Sequence, residues 1–135
     1  MMTFVDENTA YLLYKNGYRG PTWYYWEKME KGGYILVNFN GELSIRASEE
    51  LLPAPGVHEL LDALPGVLVG HYNKKYVDFF MNKMAFDEWR VGYTDMNGND
   101  VQAFVSPDLT RILGNLLLDV LNETRDLEEE KNGTC

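Results

Sequence analysis

The longest regular pattern of apolar positions lies near the C-terminus. Leu109, Ile112, Leu113, Leu116, Leu117, Val120 and Leu121 recur at steps of three and four, the spacing of one face of an α-helix. Ser106-Pro107 precedes them, so the helix is predicted to open there with Ser as its cap and Pro in its first turn. Nearer the N-terminus Ala10, Leu13, Tyr14 and Tyr18 form a shorter stripe, capped by Asp6 and stopped after about Asn16 by Gly17 in a left-handed conformation. A short helix is expected at about Val57–Leu64, ended by Pro65-Gly66.

Between these helices the pattern changes to aromatic and β-branched runs. Trp23–Trp26 and Tyr34–Phe39 flank Glu30-Lys31-Gly32-Gly33 and read as a hairpin. Asn40-Gly41 is a turn signal leading into a short strand near Leu43–Ile45. Ala47–Gly56, with Pro53 and Pro55, reads as a loop. Val67–Val69 and Tyr76–Met81 follow as strands. Trp89–Met96 and Asn99–Val105 then flank Asn97-Gly98, the pair favoured in a type I′ hairpin turn. A two-residue loop there pairs Met96 with Asn99, Thr94 with Val101 and Val91 with Phe104.

Hairpin-linked strands are antiparallel. The pattern therefore predicts an α+β fold of order α-β-β-α-β-β-β-α, with an antiparallel sheet of about five strands and helices mainly on one face. At 135 residues the chain is one domain, taken as 1–130 with a flexible tail over 131–135.

Charge narrows the function classes. Twelve basic against 21 acidic residues give −9, which argues against direct nucleic-acid binding through a basic surface. From Asp119 to Glu130 there are six acids and one base. The single cysteine, Cys135, allows no internal disulfide and fits a reducing, cytoplasmic setting. The N-terminus has no signal-peptide pattern, and no apolar run suits a membrane span. Without secretion the sequons at Asn122 and Asn132 carry no meaning.

Motifs for catalysis are missing. There is no Gly-rich phosphate loop, and Ser44, Ser48 and Ser106 lie outside any nucleophile elbow. His58 and Asp62 stand at i, i+4, but a zinc hydrolase needs a second His at that place, so the segment reads as a surface helix. Asp95–Asp100 resembles a calcium loop only superficially: with Asp95 as position 1, Gly98 falls at position 4 where the loop needs Gly at 6, and Ser106 stands at 12 in place of Glu, so a hairpin turn explains the same residues. No metal and no cofactor are expected.

The run Trp23, Tyr24, Tyr25, Trp26 is the most unusual local feature. Alternation places Trp23 and Tyr25 on one face of a strand and Tyr24 and Trp26 on the other. Large rings thus occupy both faces, and the face away from the core is a candidate partner-binding surface.

The layout resembles short uncharacterised proteins of gut Bacteroidetes and their phages and mobile elements. Three stretches carry the resemblance: Glu7-Asn8-Thr9-Ala10 through Lys15-Asn16-Gly17-Tyr18, Ala54-Pro55-Gly56, and the acidic helix from Ser106 to Glu123. Gly56 stands where that group usually has Thr, and the second helix lacks its usual Trp. The resemblance implies the fold and a phage or mobile-element setting, and it brings no catalytic residues.

The expected function is a non-enzymatic protein-interaction module with a protein partner. Two other readings are an acidic mimic of nucleic acid, motivated by residues 119–130, and a small hydrolase or ligand-binding domain using His58 or His71 with carboxylates. A homodimer is also expected, because Leu118 lies off the helical stripe, Leu127 extends beyond it, and Trp23 or Trp26 falls on a face without helices.

Overall fold

The computed structural model describes residues 3–38 and 47–133, with side chains as far as residue 130. It is an α+β fold with three helices and two antiparallel sheets, of three and four strands. The elements in chain order are α1 (Glu7–Lys15), β1 (Tyr24–Lys28), β2 (Tyr34–Asn38), β3 (Leu51–Pro53), α2 (Val57–Ala63), β4 (Val67–Val69), β5 (Tyr76–Lys83), β6 (Trp89–Thr94), β7 (Asp100–Ser106) and α3 (Leu109–Gly133). The expected class, strand direction and helix number are thus observed, with the strands divided over two sheets instead of one. The turn at Asn40-Gly41 and the strand at Leu43–Ile45 lie outside the described residues.

α1 forms as its stripe and caps dictate. The Asp6 carboxylate accepts a hydrogen bond from Thr9 N at 2.8 Å, and Gly17 ends the helix at φ 104°. Ala10, Leu13 and Tyr18 are buried and Tyr14 is half-buried. α3 begins two residues after the Ser-Pro pair. The Asp108 carboxylate accepts from Arg111 N at 3.3 Å, while Ser106 Oγ accepts from Asp108 N and stays in β7. Asp outcompetes Ser as the cap because its charge also suits the helix N-terminus. Six members of the α3 stripe are buried against β6, β7, α1 and α2, and Leu121 is half-buried. The helix continues through residues 131–133.

The first sheet runs in the order β2-β1-β3. The segment read as a loop contains β3, which pairs with β1 through Tyr25↔Pro53, Trp26↔Leu52 and Glu27↔Leu51. Proline lowers strand propensity but is tolerated on an edge strand, where one side needs no N–H donor. Leu52 and Ala54 enter the core, and their burial outweighs the local preference for a loop.

The second sheet runs β4-β5-β6-β7. Leu68, Val77, Val91 and Tyr93 are buried on the face towards the helices, with Phe79 and Phe104 packed beside them. The β6–β7 turn differs from the expected type I′. Asp95 N donates to Asn99 O at 2.8 Å and Gly98 N to Asp95 O at 3.0 Å. Of the two central residues only Gly98 has positive φ, at 80°. This is a three-residue loop with a left-handed glycine at its end. The Asp95 carboxylate selects it by accepting from Asn99 N at 2.9 Å and Asn97 N at 3.0 Å, and these bonds hold its carboxyl below the usual range. Thr94 consequently pairs with Asp100, and a bulge at Tyr93/Thr94 restores the expected Val91↔Phe104 register.

Candidate functional site

The aromatic run is divided by the strand it builds. Tyr25 is only 3% exposed. It lies beneath the Gly20-Pro21 turn, where a Cβ on Gly20 would stand 3.9 Å from the phenol oxygen. Tyr24 and Trp26 occupy the opposite face, half-buried against Phe4. The Phe4 ring lies 4.9 Å from that of Tyr24 and 6.4 Å from that of Trp26, and the Trp26 indole N–H donates to Val5 O at 3.0 Å. Trp23 precedes the strand and is 54% exposed. Of the four sequence-selected residues, Trp23 and Tyr24 come together with other groups in one cavity, whereas Tyr25 and Trp26 serve the fold.

That cavity holds about 380 Å³ and is largely apolar. Trp23, Tyr24, Phe4 and Val57 form its apolar lining, with Thr3, His58 and Glu59 completing it. Its construction begins at Gly56. The N-terminal segment lies beside α2, with Val5 N donating to Pro55 O at 3.0 Å and Phe4 bridged to Gly56. A Cβ at position 56 would stand 2.7 Å from Thr3 O, so this close approach requires glycine.

Glu59 locks the cavity floor. Its Oε2 accepts from Gly56 N at 3.0 Å, and its Oε1 accepts from Trp23 N at 3.2 Å and lies 3.3 Å from the buried Thr22 hydroxyl. One carboxylate therefore satisfies the α2 N-terminus and fixes the start of β1. Both of its oxygens thus accept hydrogen bonds from neighbouring groups of the fold. His58 Nε2 stands 3.4 Å from Asp62 Oδ2, and both side chains are exposed on α2. Among the described residues no three His, Cys, Asp or Glu gather to hold a metal.

The second histidine belongs to a separate cluster. Tyr72 and Asn73 turn with left-handed φ of 55° and 58°. Tyr72 N donates to Glu123 Oε1 at 2.8 Å, and its hydroxyl donates to Asp119. Burial first, and then the bond to Asp119, push the phenol well above its ordinary range. His71 bridges Val69 O and Thr124 Oγ1, each at 3.0 Å. Two of the six acids between 119 and 130 are thereby turned onto the β4–β5 connection. The sequence pattern showed an acidic run and gave no hint of this pairing.

Sequence reasoning also passed over Phe86. It sits at the tip of the β5–β6 hairpin, 93% exposed, with φ 62°, and Asp87 follows at φ 59°. Met84 N closes the turn onto Glu88 O at 2.7 Å. The available signal was a bulky aromatic in a turn without Gly or Asn, a combination that leaves left-handed residues strained.

No protein-family model, curated protein or solved structure matches the chain. Among the described residues no helix is long and apolar enough to cross a membrane.

Proposed function

We propose that the chain is a non-enzymatic protein-interaction module whose aromatic cavity accepts an apolar side chain of a partner protein. The observation carrying this reading is the half-exposed Trp23 at the edge of a cavity of about 380 Å³ walled by Phe4, Tyr24 and Val57. Tryptophan combines a large apolar surface with few rotors, which suits it to anchor an interface. The carboxylate beside it is committed to backbone amides, so the lining offers surface more than reactive groups. Phe86 supplies a second exposed ring at another place in the chain.

The acidic-mimic reading keeps Asp126 and Glu128–Glu130 as exposed charges, but Asp119 and Glu123 face inward. That leaves a shorter row to imitate a phosphate backbone. A partner in a phage or mobile-element setting remains part of the proposal.

Selection from a displayed random-peptide library tests the cavity. Bound peptides should share an aromatic or aliphatic anchor, and Trp23→Ala should weaken them at least about tenfold, the loss expected for an interface anchor. Its melting temperature should stay within a degree or two of wild type, since the ring is half-exposed. Peptides without such an anchor, or affinities unchanged by Trp23→Ala, would overturn the assignment.

A further inference from the structure

We infer that the open face of the four-stranded sheet packs against a second copy of the chain, about a two-fold axis that sets Asp78 against Arg90 of the partner subunit. The pairing register identifies this face. Val67 lies opposite Asp78, Val69 opposite Tyr76, Phe80 opposite Gly92 and Gly92 opposite Ala103, while Arg90 lies opposite Val105. Opposed residues share a face, and the alternate set, including Leu68, Val77, Val91 and Tyr93, is buried under the helices. On the open side Val67, Val69 and Val105 are 52%, 63% and 52% exposed.

The charge on this face is suited to its own copy. Residues 67–106 hold four basic and five acidic residues, so the sheet region carries −1 of the chain's −9. Two such chains repel least when this region meets, and salt screens their remaining charge beyond about 8–10 Å. Within the face Arg90 stacks over Phe80, 4.5 Å from the ring centre, and pairs with Asp100. Asp78 takes part in none of the ion pairs among the described residues. In a two-fold interface a contact between residues i and j occurs twice. An axis in the interface plane, midway between Asp78 and Arg90, gives the free carboxylate a cation in both copies.

The size is also adequate. The 24 residues of β4 to β7, at about 3.3 Å along a strand and about 4.8 Å between strands, give a projected area on the order of 400 Å². Accessible area follows the side chains and exceeds the projection, towards the roughly 800 Å² per partner of a standard interface.

Sedimentation equilibrium of the full chain under reducing conditions tests the inference. A mass of twice 15.6 kDa is expected at micromolar to tens-of-micromolar concentration. Asp78→Lys should weaken association at least about tenfold by placing Lys against Arg90. Glu129→Lys, which changes the net charge equally but lies on α3, should leave it unchanged or tighten it. Amide shifts on diluting the wild-type protein should gather on β4–β7, a readout that depends on no variant folding. A monomer up to about a hundred micromolar would overturn the inference, since a standard interface should hold far below that. So would an Asp78→Lys protein that associates as well as Glu129→Lys, or dilution shifts centred on Trp23 and Val57.

Discussion

Replacing Glu59 tests how the cavity is held. Its carboxylate accepts from Gly56 N and Trp23 N and lies within reach of the Thr22 hydroxyl. Thr22 has other acceptors, Ala54 O at 3.2 Å and Tyr24 O at 3.3 Å, so its hydroxyl is not orphaned by the loss. Trp23 N is exposed and water can replace its partner. The part-buried Gly56 N is harder to satisfy, and it sits at the N-terminus of α2, where a negative charge is favourable. A lost charged hydrogen bond there is worth about 1.5–3 kcal/mol, and the easily hydrated contacts add little, so Glu59→Ala should cost about 2 kcal/mol. Unfolding entropy of roughly 2.1 cal/mol/K per residue converts this into a melting-temperature fall of about 7 °C for 135 residues. Glu59→Gln should cost nearly as much, because donors approach both oxygens and an amide turns its own N–H₂ towards one of them. Calorimetric melts of both variants provide the check. A loss below about 0.5 kcal/mol in each, or a fully stable Gln variant, would refute the assignment of Glu59 as a two-sided acceptor.

The remaining predictions concern the hairpin and the tyrosines. Gly98→Ala should lose about 1–2 kcal/mol through left-handed backbone strain alone, since nothing lies within 4 Å of the added Cβ. Asn97→Ala should lose far less, and equal losses in urea titrations would restore the type I′ turn. Burial raises the phenol pKa values of Tyr18, Tyr72 and Tyr93 above the ordinary 10.0. These phenols stay protonated when folded, while the unfolded chain loses its protons from about pH 10. The unfolded state then binds fewer protons, so stability is full below that pH and falls as pH rises beyond it. Absorbance titration should show these three and Tyr25, whose phenol burial also raises, ionising late among the nine tyrosines, and a melting temperature flat from pH 9 to about 11.5 would contradict this.

The sequence by itself determined the elements whose signals are local. The α1 cap and glycine stop, the α3 stripe, and the β1–β2 and β6–β7 hairpins follow from side-chain period and turn chemistry, which act over a few residues. Even the Val91↔Phe104 register was legible, although the turn type was not. A choice between two short loops depended on the Asp95 carboxylate reaching two amides, and a later bulge hid the difference. Tertiary structure decided β3, where Pro53 opposed a strand but pairing with β1 and burial of Leu52 prevailed. It also decided which rings are free. Leu118 and Trp26, which suggested surplus apolar surface, pack against the core, and Trp23 remains exposed. The cavity joins residues 3–4, 23–24 and 56–59, and Tyr72 meets Asp119 across 47 positions. No pattern within one segment encodes such meetings, because burial and long-range hydrogen bonding are settled only when distant elements compete for the same space.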